Sequence, residues 1–321
     1  MMKPTIYISR RIPSQFVEPY KNSWSIEMWP EEDQVVKRDV LLKHAREADA
    51  LFTTLTEHVD RELLDQAVNL KGIANLAVGY DNIDVEYARK KGIVVTNTPD
   101  VLTDTTADLT FALLMATARR IVEAEAFIRD GRWTTWSPFL LAGADIHHKT
   151  IGIVGMGRIG EAVARRARGF DMNILYHNRS RKEEVENNLG VQYASFDDLI
   201  RTADFVVSMT PLTKETEDMF NASVFKKMKS SAIFINASRG GVVNEEDLYQ
   251  ALNNHDIQAA GLDVFNHEPI AETHPLLKLD NVIALPHIGS ATCETRSQMI
   301  ELCLKNIDHI LKGEEPVTPV Q

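Results

Sequence analysis

Arg239, Glu268 and His287 are the residues of this chain whose types and settings could do chemistry together. Each follows a short apolar run, over residues 232–236, 259–263 and 282–285 respectively. Such runs read as buried parallel strands, and ligands of parallel sheets gather outside the carboxyl ends of the strands. A histidine, a carboxylate and a guanidinium suit the reduction of a 2-oxo acid. His287, protonated, can deliver a proton to the carbonyl oxygen. Glu268 beside it would favour the charged ring and fix its orientation. Arg239 offers a planar fork to the substrate carboxylate and a charge that polarises the carbonyl. Asp263 is a second acid nearby, expected on the cofactor side. Taken singly, a histidine after a strand is an ordinary loop residue and Glu-Pro an ordinary turn. Their joint meaning comes from a motif upstream. His147, His148, His267 and His274 stand in polar loops without such a setting and are set aside.

That motif is Gly155-Met156-Gly157-Arg158-Ile159-Gly160, a G-x-G-x-x-G. Alone it is weak, because glycines also punctuate ordinary loops. Here a β-branched run at 150–154 precedes it, and Ile159, Val163 and Ala167 follow at helical spacing with Gly169 as the stop. A second strand at 173–176 completes one unit. This is the setting of a dinucleotide site. Gly155 permits the tight turn, Gly157 lets backbone approach a pyrophosphate, and Gly160 allows close helix–strand contact. The first amides of the helix face the phosphates.

Cofactor choice is made at the end of the second strand. NAD sites usually place Asp or Glu there, to accept from the ribose 2′-OH. This chain instead has His177-Asn178-Arg179-Ser180-Arg181, with no carboxylate between Met172 and Lys182. Arg179 and Ser180 can donate to a 2′-phosphate, with Arg181 close by. NADP(H) is therefore the preferred cofactor and NAD(H) a possible one.

The elements that must position these groups follow from length and pattern. A chain of 321 residues exceeds one ordinary core, so two domains are expected. The net charge of −11 argues against nucleic acid or an anionic membrane as partner. Between Arg158 and Lys182 the balance reverses, with seven Lys or Arg against Glu161 and Asp171. Arg165, Arg166 and Arg168 in that stretch read best as an outer helix face. Two cysteines, Cys293 and Cys303, cannot build a disulfide framework or a zinc site, so no metal is expected. The N-terminus enters a strand pattern without the apolar core of a signal peptide, and no run is long enough to span a bilayer. A soluble cytoplasmic protein is expected.

Before the glycine motif, strands at 5–9, 25–29, 50–55, 72–78 and 93–96 alternate with helices at 33–46, 61–68 (capped by Asp60) and 85–91. This is the pattern of a parallel α/β domain. One long helix is expected over 105–130, stopped by Gly131, followed by an irregular connector over 132–148 carrying Trp133, Trp136 and Phe139. From Ile151 onward the pattern gives six strands in the order 3-2-1-4-5-6, with Asn221 or Ser223, and Asn244, as helix caps. The strands leading to Arg239, Glu268 and His287 are neighbours in that order. A final amphipathic helix over 293–312 is expected to return to the first domain.

With these residues in view, the chain resembles the D-isomer-specific 2-hydroxyacid dehydrogenases over nearly its whole length. It is most similar to their glyoxylate/hydroxypyruvate reductase and 2-ketogluconate reductase branch. The matching stretches are AVGYDNIDVEYARKKGIVVTNTPD, TDTTADLTFALLMATARR, GIVGMGRIG, NASRGGVVNEEDL, GLDVFNHEP and LPHIGSAT. The resemblance implies Arg239, Glu268 and His287 as the catalytic set. It implies cofactor contacts at Thr106, at Met156, Gly157, Arg158 and Ile159, and at Asn178, Arg179 and Ser180. Further cofactor contacts are implied at Thr210 and Pro211, at Ala237, Ser238 and Arg239, and at Asp263, His287 and Gly289. Substrate would meet Leu55, Thr56, Val78 and Gly79 of the first domain, through loop backbone amides, together with Arg239 and His287. Family members are homodimers joined through the cofactor domain, which would bring Trp133 and Trp136 to a neighbour. The implied fold is two Rossmann-like α/β domains with the active-site cleft between them. A doubly wound dinucleotide-binding sheet (100–289) is inserted in a smaller flavodoxin-like substrate domain (1–99 plus 290–321). The implied reaction is NAD(P)H-dependent reduction of glyoxylate or hydroxypyruvate to glycolate or a D-2-hydroxy acid. The alternatives are a 2-ketogluconate reductase and a dinucleotide-sensing corepressor-like binding protein.

Overall fold

Runs of Ile, Val and Ala bounded by Gly, Asp and Asn give short strands, buried in the middle of each sheet, and a computed structural model arranges them in two all-parallel sheets. The structure describes residues 3–320; Met1, Met2 and Gln321, with the expected domain limits at 1 and 321, lie outside it. The chain divides into two compact units, Met1–Leu102 with Thr292–Gln321, and Thr103–Ala291.

The first unit runs β1 (Thr5–Ile8), α1 (Ser14–Val17), β2 (Ser25–Met28), α2 (Arg38–Glu47), β3 (Ala50–Thr53), α3 (Arg61–Gln66), β4 (Gly72–Asn75), α4 (Val85–Lys90) and β5 (Val94–Thr96). Its sheet order is β2-β1-β3-β4-β5, the flavodoxin-like winding. Asp60 caps α3 as the sequence suggests, its side chain accepting from the Leu63 amide. Helix α2 begins later than its apolar spacing implies. The Trp29 indole takes the Gln34 carbonyl, and the chain stays irregular up to Lys37. The last helix of the chain (Cys293–Lys312) packs on β3, β4 and β5 and buries Ile300, Cys303, Leu304 and Ile307 in the core of this unit.

The second unit opens with α5 (Thr103–Ala118) and α6 (Ile121–Arg129). It continues with β6 (Thr150–Val154), α7 (Arg158–Arg168), β7 (Asn173–His177), α8 (Glu183–Leu189), β8 (Gln192–Tyr193), α9 (Phe196–Thr202) and β9 (Phe205–Ser208). Then come α10 (Ala222–Phe225), β10 (Ile233–Asn236), α11 (Glu245–Asn253), β11 (Ala259–Leu262) and β12 (Val282–Ala284); the helix Cys293–Lys312 is α12. Asn221 and Asn244 cap α10 and α11.

Three expectations are corrected here. The single helix over 105–130 is two. The Ala118 carbonyl, which the next turn would need, accepts instead from the Ala144 amide of the connector, and Arg120 turns left-handed with φ 53°. The sheet has seven strands in the order β12-β11-β10-β9-β6-β7-β8. The two-residue strand β8, too short to carry a periodicity, takes the outer place that the six-strand count gave to Phe205–Ser208; that strand lies beside β6 instead. The adjacency of β10, β11 and β12 is unaffected. Arg166 is also no solvated outer residue: it reaches from α7 to Asp108 and Asp104 of α5 and ties the two helices together. Among the described residues no helix is long and apolar enough to cross a membrane.

Candidate active site

Three loops at the carboxyl ends of β10, β11 and β12 carry the chemistry-bearing residues, and backbone constraints draw them together. Arg239 is followed by Gly240, where a Cβ would lie 1.9 Å from the Phe265 carbonyl carbon. Only glycine lets the loop after β10 press this closely on the loop after β11. The Phe265 amide in turn donates to Glu268 Oε1 at 2.9 Å, which fixes one oxygen of that carboxylate. The other oxygen, Oε2, meets His287 Nδ1 at 2.6 Å. With Nδ1–H on the carboxylate, Nε2 is the ring nitrogen left to exchange a proton with a ligand.

The histidine is held from behind as well. Its amide donates to the Asp263 carbonyl at 2.9 Å, and the next amide, of Ile288, donates to Asp263 Oδ1 at 2.8 Å. Between these anchors His287 itself adopts φ 54°, the left-handed region that non-glycine residues enter at a cost. Asp263 is 1% exposed, and burial pushes its carboxyl above the usual range against the pull of the amides and of His287. For Glu268 burial also pushes upward. There the His287 ring, the Phe265 amide and the Arg239 charge outweigh it and hold the carboxyl below its ordinary range. An ionised Glu268 beside an imidazole and a guanidinium is therefore the resting arrangement. Arg239 donates to the Ser238 carbonyl at 2.8 Å and stands close enough to act on Glu268.

The glycine turn builds a second feature of the same unit. Gly155 has φ 103°, and a Cβ there would lie 2.6 Å from the Met209 carbonyl group. At Gly160 a Cβ would meet the Gly155 carbonyl oxygen at 2.3 Å, so α7 could not start where it does. At Gly157 the space is open, which is what close approach of a pyrophosphate requires. A pocket of about 470 Å³ runs along this turn, walled by Gly155 and Gly157, by Asn178, Arg179 and Ser180, and by Thr210 and Pro211. The residues present fit a dinucleotide: α7 opens its amides toward the turn, and Arg179 and Ser180 are exposed at the end of β7.

The other expected contacts are distributed as follows. Met156 is buried in the core, and its amide is taken by Asn178 Oδ1 at 2.8 Å. Arg158 is exposed at the start of α7, with Ile159 half-buried beside it. Ser238 faces Ser208 at 3.1 Å, next to the half-buried Ala237. Thr106 of α5 and Asp263 both close on Gly289, where a Cβ would stand 3.2 Å from each. Leu55, Thr56, Val78 and Gly79 belong to the first unit, in the loops after β3 and β4. Arg181 does not join Arg179: Glu186 holds it with two hydrogen bonds of 2.7 Å, and Glu186 also accepts from Tyr176. Sequence reasoning overlooked Lys182 and Glu215, which line the same pocket. Lys182 bonds to Glu161 at 2.9 Å, and Glu215 feels the charge of Arg179. Glu215 lies on the loop after β9, distant in sequence from the segment where a cofactor-choosing carboxylate is normally sought.

Comparison with known proteins agrees with this architecture. Residues 111–289 match the family described as D-isomer specific 2-hydroxyacid dehydrogenase, NAD binding domain. A glyoxylate reductase of Thermococcus kodakarensis is 51% identical over 99% of this chain and 96% of its own length. One from Pyrococcus horikoshii is 49% identical over the same shares. Among solved structures, an NADPH-dependent glyoxylate/hydroxypyruvate reductase from Sinorhizobium meliloti, in complex with NADP and malonate, superposes with a TM-score of 0.87 at 34% identity. That match covers 99% of this chain and 97% of the other.

Proposed function

Since this chain belongs to the D-isomer specific 2-hydroxyacid dehydrogenases and carries their nicotinamide-dinucleotide-binding domain, we propose that it reduces a small 2-oxo acid with NADPH. Glyoxylate and hydroxypyruvate are the substrates, and glycolate and the D-2-hydroxy acid the products. The observation that carries this reading is the His287–Glu268 contact of 2.6 Å with Arg239 on the adjoining strand end. The bound nicotinamide supplies the hydride. Arg239 holds the substrate carboxylate in a two-pronged grip and draws electron density from the carbonyl. His287 passes the proton on Nε2 to the carbonyl oxygen, and Glu268 stabilises the ring while it is charged. Leu55, Val78 and Gly79 receive the substrate through their backbone amides, with Thr56 beside them.

The preference for NADPH is supported by Arg179 and Ser180, exposed along the glycine-turn pocket. Glu215, which lines the same pocket, gives the ribose of NADH an acceptor, so NADH is the weaker cofactor rather than an excluded one. The deciding experiment is a panel of NADPH and NADH, each against glyoxylate, hydroxypyruvate, pyruvate and 2-ketogluconate. It is followed by the loss of reduced-nicotinamide absorbance. Turnover with glyoxylate or hydroxypyruvate is expected; tight NADPH binding without oxidation by any 2-oxo acid would reject the enzyme. Arg239→Lys keeps the charge but loses the fork, and should raise KM for the 2-oxo acid by about tenfold or more. An unchanged KM would remove the carboxylate contact.

The functional form we propose is a homodimer. Helix α6 and the connector after it expose Ile121, Val122, Ile128, Trp133, Trp136 and Phe139, the last 87% accessible. An apolar stretch this dense is typical of an interface. Light scattering should give twice the chain mass of 36.1 kDa, and a mass of one chain would refute the dimer.

A further inference from the structure

In the first unit, side-chain amides tie the loops after β3 and β4 to one another, and a buried carboxylate braces the first of them. Asn82 Nδ2 donates to two carbonyls of the first loop, Thr54 O at 3.1 Å and Glu57 O at 2.8 Å. Asn82 Oδ1 accepts from Asn75 Nδ2, which also donates to Gly79 O at 3.0 Å. Asn97 takes the Val78 carbonyl at 2.7 Å. The Glu57 side chain closes the first loop on itself. It is 2% exposed in its residue and accepts from the Thr54 amide at 2.6 Å, the Thr56 hydroxyl at 2.8 Å and the Ser9 hydroxyl at 2.7 Å. The Arg10 guanidinium lies 3.5 Å away as its counter-charge.

The consequence is directional. These side chains draw the carbonyls of both loops inward. Among the described residues no hydrogen bond takes the amides of Leu55, Val78 or Gly79. Backbone whose carbonyls are engaged and whose N–H groups are left over is a ready receptor for an anion. A loop free to turn would present either group, and would have to be ordered by the ligand at a cost to affinity.

We propose that Asn82 and Glu57 are positioning residues for the substrate carboxylate: they fix which backbone groups of the two loops are offered to it. This rests on the 2-oxo acid reading above. Neither residue takes part in proton or hydride movement, so their loss should appear in substrate affinity alone.

The test uses the full-length protein with Asn82→Ala, Asn82→Asp and Glu57→Gln, measuring KM and kcat for the best 2-oxo acid of the panel. The dissociation constant of NADPH is read separately by fluorescence, and hydrogen exchange is followed over residues 54–57 and 77–80 without ligand. Asn82→Asp preserves size and removes both donors, so it decides the matter if the alanine variant fails to fold. The expected result is a rise in KM of about tenfold, with faster exchange in both loops and with kcat and the NADPH constant unchanged within about twofold. An unchanged KM in Asn82→Asp would overturn the proposal, as would a parallel loss of NADPH affinity, which marks general damage. A wild-type protein inactive toward every 2-oxo acid would instead overturn the reading on which this one stands; that result is read before any variant is made.

Discussion

His287→Ala should lower kcat for 2-oxo acid reduction by about 100- to 10,000-fold, the usual worth of a positioned general acid. Glu268→Gln should follow it in part, because a neutral amide still orients Nδ1–H but no longer stabilises a charged ring. The acid side of the pH profile reports on this partner. The carboxyl of Glu268 sits below its ordinary range in the folded protein, so its stabilising contribution is complete above the unfolded value. It is lost only as pH falls through the lowered folded one. Mild acid should therefore leave the pair intact, and a wild-type profile already collapsing near the ordinary glutamate range of about 4.3 would contradict the arrangement. Wild-type turnover in His287→Ala would reject the role of the ring altogether.

Arg179→Asp should weaken NADPH by about 100-fold or more while changing NADH by only a few-fold. A charge-assisted bond to the 2′-phosphate is worth about 1.5–3 kcal/mol, and its replacement by a like charge adds repulsion. Loss of affinity for both cofactors in equal measure would show that Arg179 shapes the loop rather than reads the phosphate. Arg181→Ala is the natural control. Glu186 holds that side chain away from Arg179, so its removal should leave the cofactor ratio as it was.

Much of this was legible in the residues. The strand–glycine turn–helix unit announces itself because each of its constraints is local: Gly155 answers a positive φ and Gly160 a carbonyl oxygen five residues back. The grouping of Arg239, Glu268 and His287 could be inferred because parallel strands in a doubly wound sheet all point their carboxyl ends the same way. What escaped notice was settled by partners distant in the chain. The helix over 105–130 looks continuous until Ala144 takes the carbonyl of Ala118. Strand β8 exists only because Leu175 and Tyr176 pair with it. Arg181 and Arg179 look alike in sequence, and only the placement of Glu186 and Tyr176 separates them. Glu57 lies in none of the matching stretches, and Asn82 is one residue of a long one with nothing to single it out. Their meaning lies in whose carbonyls and hydroxyls they reach.

The left-handed backbone at His287 sets thermal endurance against activity at a single position. A glycine would occupy that conformation without the penalty an imidazole-bearing residue incurs, on the order of 1 kcal/mol. Yet a descendant that took the glycine would leave the Glu268 carboxylate without its ring partner, so the relief of one backbone angle would be set against the loss of a 2.6 Å contact as well as of turnover.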